Sequence, residues 1–92
     1  MQRKLYRGII CLQDPSRLPD KVSIFQNGKG VVIMPYQDGD EKKKNRKIKE
    51  FDSRGRLIIP HKMLKKVGIS DCAEIVRRSD GAVMLLPVQN AE

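Results

Sequence analysis

Residues 51–60 read Phe51-Asp52-Ser53-Arg54-Gly55-Arg56-Leu57-Ile58-Ile59-Pro60. Asp52, Ser53 and Gly55 make a polar turn, and Leu57-Ile58-Ile59 is a short apolar strand that stops at a residue with no N–H for a ladder. Asp52 is read as the acceptor that shapes the turn, and Gly55 as its positive-φ position. Proline suits the first position of a helix and glycine the position after its last, so Pro60-His61-Lys62-Met63-Leu64-Lys65-Lys66-Val67-Gly68 predicts a short helix. Met63, Leu64 and Val67 fall on one side of it, and Lys62, Lys65 and Lys66 are left largely to solvent. The order from residue 48 onward is therefore strand, turn, strand, helix.

On either side of this stretch the signals are those of hairpins. Ala73 to Arg78 and Ala82 to Leu86 flank Ser79-Asp80-Gly81, while Val22, Ile24 and the run Val31-Val32-Ile33-Met34 flank Asn27-Gly28-Lys29-Gly30. The latter is read as a tight turn, because no Lys-Ser/Thr pair follows at phosphate-loop spacing. Leu5 to Leu12 predicts a further strand, closed by Asp14-Pro15-Ser16. The fold expected is mostly β with one short helix.

A faint internal repeat shows when residue n is set against n+52: Val31, Pro35 and Gln37 then meet Val83, Pro87 and Gln89. Upstream, Asp14-Pro15-Ser16-Arg17-Leu18-Pro19 reads as a shortened copy of Asp52 to Pro60, with no room for the helix. The organisation expected is an N-terminal β-hairpin segment over 1–41, which the repeat would make a degenerate first copy, a basic linker or arm over 42–47, and a second unit over 48–88.

The 92 residues hold 19 Lys and Arg against 11 Asp and Glu, a net charge of +8. Most of that excess sits in Lys42-Lys43-Lys44-Asn45-Arg46-Lys47-Ile48-Lys49, which has no acidic residue; the segments before and after it are nearly balanced. Such a run is either a solvated linker or an arm for nucleic-acid phosphate. The only aromatics are Tyr6, Phe25, Tyr36 and Phe51, too few for a single-strand reader built on stacked bases. The longest apolar stretch, Ala82 to Val88, is far short of the about 20 residues a membrane span needs. Cys11 and Cys72 lack CxxC spacing and His61 is the sole histidine. No metal site, catalytic pair or cofactor is expected, and the protein is read as a cytoplasmic non-enzyme.

Residues 48–88 resemble the AbrB/MazE/MraZ superfamily of swapped-hairpin DNA-binding domains. The resemblance rests on Asp52, Gly55-Arg56, the triplet Leu57-Ile58-Ile59, Pro60, Gly68-Ile69, and Glu74-Ile75 leading into the terminal hairpin. It implies a strand–strand–helix–strand–strand unit, two of which interleave into one β-barrel, and the apparent first copy brings the chain nearest the tandem-repeat MraZ branch. Carried over position by position, it makes Lys49, Arg56 and Lys65 candidates for DNA contact. Leu64 stands where the family often has arginine, and Ser70-Asp71-Cys72 is a shortened loop.

The residues themselves add Arg46, Lys47 and Arg54. Arg54 and Arg56 share a side if their segment is extended, and Arg46 or Lys47 with Lys49 would form a facing row, a basic ribbon of major-groove width. A competing reading pairs Arg56 with Asp52 as a salt bridge that pins the turn. The function expected is a transcriptional regulator binding double-stranded DNA as a homodimer or larger symmetric assembly, since a half of about 45 residues buries too little apolar surface alone. Alternatives are an antitoxin with a toxin protein as partner, disfavoured because only Gln89 to Glu92 follow the domain, or a non-enzymatic RNA- or phosphate-binding interaction module.

Overall fold

The computed structural model describes residues 2–5, 8–11 and 18–88. Within them the elements are β1 (Gln2–Lys4), β2 (Ile9–Cys11), β3 (Lys21–Asn27), β4 (Gly30–Pro35), a single 3-10 turn (Asp40–Lys42), β5 (Arg46–Glu50), β6 (Arg56–Ile58), α1 (His61–Val67), β7 (Cys72–Arg77) and β8 (Val83–Pro87). The chain is mostly β with one short helix, and no described helix is long and apolar enough to cross a membrane.

Both hairpins lie where turn chemistry places them. Asn27 pairs with Gly30 across Gly28-Lys29, and Gly28 takes the positive φ that the tight reversal requires. The second hairpin closes through Arg78 N–H to the Ala82 carbonyl, with Asp80 Oδ1 accepting from Ala82 N–H at 3.0 Å. The helix spans His61–Val67 between Pro60 and Gly68, whose N–H returns to the Leu64 and Lys65 carbonyls. It buries Leu64 and Val67 and half-buries Met63.

Six strands form one sheet in the order β1-β7-β8-β4-β3-β5, and β2 pairs with β6 as a separate two-stranded ribbon. Take β1 to β4 as one half of the chain and β5 to β8 as the other. The sheet then reads first, third, fourth, fourth, third, first strand of a half from either edge. β1 pairs with β7 as β5 pairs with β3, while β2·β6 and β4·β8 join equivalent strands. The match extends to single bonds: Leu5 N–H donates to the Asp71 carbonyl at 2.7 Å, and Phe51 N–H donates to the Asp20 carbonyl at 2.9 Å. In β4·β8, Val31 faces Leu85 and Ile33 faces Val83, two pairs that exchange under a shift of 52 residues.

One face of the sheet carries Val22, Ile24, Val31, Ile33, Ala73, Ile75, Val83 and Leu85, all in one buried cluster with Ile10 and Leu57 of the ribbon and Leu64 and Val67 of the helix. The ribbon and helix thus close the core from one side. Burying this shared cluster offsets the chain entropy that neither half, with half the core, could offset alone.

Four details differ from the sequence reading. Among the described residues the strands make an open sheet and a ribbon, with β1 and β5 at the edges, where a barrel would have a closed ring. The strand expected over Leu5 to Leu12 is interrupted: Gly8 has φ 79, and β2 begins only at Ile9. The basic segment is not wholly a linker, since Arg46 and Lys47 already belong to β5. Residues 53–55 turn, so Arg54 and Arg56 do not share a strand face. The short copy expected at Asp14 to Pro19 falls mostly outside the described residues. The residue that matches Gly55 in conformation and in place before a ribbon strand is Gly8.

Candidate nucleic-acid interface

The turn before β6 is organised by one carboxylate. Asp52 Oδ1 accepts from the backbone N–H of Arg54 and of Arg56, each at 2.9 Å, and Asp52 Oδ2 accepts from Arg56 Nε at 2.7 Å. Gly55 closes the turn with φ 74 and its N–H on the Asp52 carbonyl. These N–H donors, the Arg56 amide first, hold the Asp52 carboxyl below its ordinary range. The hydrogen bond to Arg56 runs through Nε and so fixes the plane of the guanidinium, which is half exposed. The salt bridge is therefore present, and it orients the arginine it pairs with.

Alternation along the β2·β6 ribbon decides what faces outward. Ile10 and Leu57 are opposite each other and buried, so the pairs on either side, Ile9 with Ile58 and Cys11 with Arg56, face away from the core. Ile58 is 58% exposed. An open cavity of about 250 Å³ beside the ribbon is lined by Ile9, Lys49, Glu50, Asp52, Arg56 and Ile58. Lys49 and Arg56 are thereby brought together, with Glu50 and Asp52 among them.

The remaining candidates separate. On the edge strand β5, Lys47 stands opposite Ile24 and Lys49 opposite Val22, so both lysines lie on the core side of the sheet, at its rim. Arg46 stands opposite Phe25, on the other face. Its guanidinium lies 4.3 Å from the Phe25 ring centre, and Nη1 is 3.4 Å from Asp40 Oδ1 and 3.6 Å from Met34 Sδ. At 19% exposure Arg46 is packed as a cover on that outer face, away from Lys49 and Arg56. Arg54 is exposed at the turn, and its carbonyl is 3.8 Å from Cys11 Sγ. Lys65 is exposed in the last turn of α1 and lines neither cavity beside β5.

Asp40 ties β5 to β3 beside their ladder. It is buried, accepting from Ser23 Oγ at 2.7 Å and from Gln37 N–H at 2.9 Å, with Arg46 and Lys43 as cations nearby. The Ser23 hydroxyl and the Gln37 amide pull its carboxyl below the ordinary range against the opposing cost of burial. Asp40 is thus a buried clasp between the turn and β3.

Sequence reading also passed over a basic cluster. Lys62 and Lys66, read as left largely to solvent, and His61, the sole histidine, line a second open cavity of about 610 Å³ together with Lys47, Asn45 and Gln26. The four-residue spacing of Lys62 and Lys66, one helical turn, was the available signal. No protein-family model matches the chain, and no curated protein matches it significantly.

Proposed function

We propose that this protein is a duplex-DNA-binding transcriptional regulator whose two halves form, within one chain, the interleaved arrangement of an AbrB-like swapped-hairpin domain. The observation that carries the reading is Arg56, fixed through Nε by Asp52 on the outward face of the ribbon beside Lys49. A held guanidinium is suited to a guanine edge or a phosphate, because ordering it costs little further entropy on binding. The palindromic strand order supports the interleaved fold, in which the tandem-repeat branch of that superfamily would supply both halves from one polypeptide.

Pairing between halves inside the chain removes the need for a second subunit merely to complete the core. A homodimer or larger symmetric assembly serves instead to place two Arg56 ribbons on paired half-sites. Arg56 faces Cys11 across the ribbon and Ile58 faces Ile9, so the paired residues of β2 contribute no arginine there.

The test is titration of the full chain with duplex DNA, single-stranded DNA and RNA over a salt series, followed by selection of bound duplexes from a random pool. The reading expects duplex preference, a steep loss of affinity with salt and an enriched site. Equal affinity for all three polymers with no enriched site would replace it with a general phosphate-binding module.

A further inference from the structure

The larger cavity lies between α1, the β3–β4 turn and β5, and its lining contains Lys47, His61, Lys62 and Lys66 with Gln26 and Asn45 and, among the described residues, no acidic one. Among the described residues none of the three lysines is ion-paired; the salt bridges found there join Asp40, Asp52 and Asp80 to Lys43, Arg46, Arg56 and Arg78. Lys62 and Lys66 are one helical turn apart, a like-charge spacing that costs stability unless an anion lies between. Lys47 enters the same cavity from the sheet. Asn45, in the left-handed conformation at φ 66, turns the chain into β5 just before it.

Two features point to the kind of anion. At about 610 Å³ the cavity is far roomier than a single small ion needs and lies in the range of roughly 300–1,000 Å³ found for organic ligand sites. It also does not end at β5. Lys47 and Lys49 lie on the same face of that strand, and Lys49 lines the smaller cavity with Arg56. Positive side chains thus run from α1 along the strand edge to the ribbon, a track for an extended polyanion.

We propose that this groove binds the phosphodiester backbone of a nucleic acid, with Lys47, Lys62 and Lys66 as its phosphate partners. Lysines act there as point charges indifferent to sequence, so the groove positions the polymer while Arg56 meets it further along. The identity of that polymer as duplex DNA rests on the function proposed above; the groove itself rests on its own lining.

The experiment compares Lys47→Gln/Lys62→Gln/Lys66→Gln with a charge-matched control at the opposite end of the sheet, Lys4→Gln/Arg77→Gln/Arg78→Gln, both confirmed folded by thermal melting. Binding of a random-sequence duplex is measured against salt. Each phosphate contact contributes about 0.9 to the slope of log affinity on log salt, so the groove variant flattens it by roughly 2–3 and the control by less than about 1. Equal slopes for the two variants, with wild type binding duplex well, would overturn the groove and leave the DNA reading standing. In parallel, amide shifts of the unmodified chain are followed on adding duplex or single-stranded RNA. Shifts at residues 45–47 and 61–66 with RNA but not duplex support the groove and sink the DNA reading; no shifts there with either overturn the groove.

Discussion

Leu57 of β6 stands directly opposite Ile10 of β2, and both side chains are almost wholly buried. They are the central pair of the ribbon and lie where the two halves of the chain meet on the core side. β1·β7, β3·β5 and β4·β8 likewise join strands from different halves. Cooperative unfolding of the whole chain follows from this arrangement. Leu57→Ala should cost about 2–5 kcal/mol, the range for truncating a fully buried leucine. Denaturant unfolding followed by tyrosine fluorescence and by far-ultraviolet dichroism should give one coincident transition; two separated transitions would mean that the halves fold independently.

Gly30 lets β4 and β8 approach closely along their seam. A Cβ built there would lie 2.7 Å from the Leu85 carbonyl oxygen and 2.9 Å from side-chain atoms of Leu86 and Met84. Side-chain ends can move, but a ladder carbonyl cannot without disturbing the sheet. Gly30→Ala should therefore destabilise by roughly 1–3 kcal/mol, as overpacking does. An unchanged chemical-denaturation midpoint would show that the seam yields.

Gly55 acts through backbone shape. At φ 74 it occupies the left-handed region, where an L-residue costs about 1–2 kcal/mol. Gly55→Ala should lower stability by that order and, by shifting the turn, loosen Arg56 from Asp52. The double variant with Asp52→Ala separates the two effects: additive losses in thermal melts would mean that the turn and the ion pair are independent.

Arg56 should discriminate among DNA sites, and its geometry predicts how. If its guanidinium reads a base edge, Arg56→Ala costs roughly 1–3 kcal/mol at a selected site and little on random duplex. Arg56→Lys should not rescue, because lysine offers neither the planar fork nor an Nε for Asp52. Equal losses on both duplexes would make Arg56 a phosphate contact, and a fall in melting temperature alone would confine it to pinning the turn.

Acid should weaken the fold partly through Asp40. Its carboxyl is held below the ordinary value of 3.8 by Ser23 and Gln37, so the unfolded chain takes up its proton first as pH falls. The stabilisation is complete above that value and is lost as pH drops through the lower folded value. Asp40→Asn should be less stable at neutral pH and lose less stability between about pH 5 and pH 2 than the unmodified chain, a difference read by urea unfolding at each pH. Asp52 and Glu41 are also lowered, by the Arg56 amide and the Tyr36 hydroxyl respectively, and keep the residual slope above zero. An identical acid slope in the variant would remove Asp40 from this account.

Local chemistry made much of the chain from β3 onward legible in the sequence. Pro60 and Gly68 bracket the helix, Asn27-Gly28 and Ser79-Asp80-Gly81 mark the hairpins, and Asp52 with Gly55 define the turn that holds Arg56, because each signal depends on residues within a few positions of one another. The shift of 52 residues that aligns Val31 with Val83 also hinted at the strands that pair as β4 and β8. Only the tertiary structure decided which strands join across the chain, and with them the site. Lys47 lines one groove with Lys62 and Lys66 because β5 docks on β3, where its ladder is joined by the buried Asp40, bonded to Ser23 and paired with Arg46. Arg46, one residue from Lys47, is turned to the opposite face and covers Phe25. Nothing local separates these two neighbouring cations; the period of two along a strand does so only once the core has chosen which face is inside.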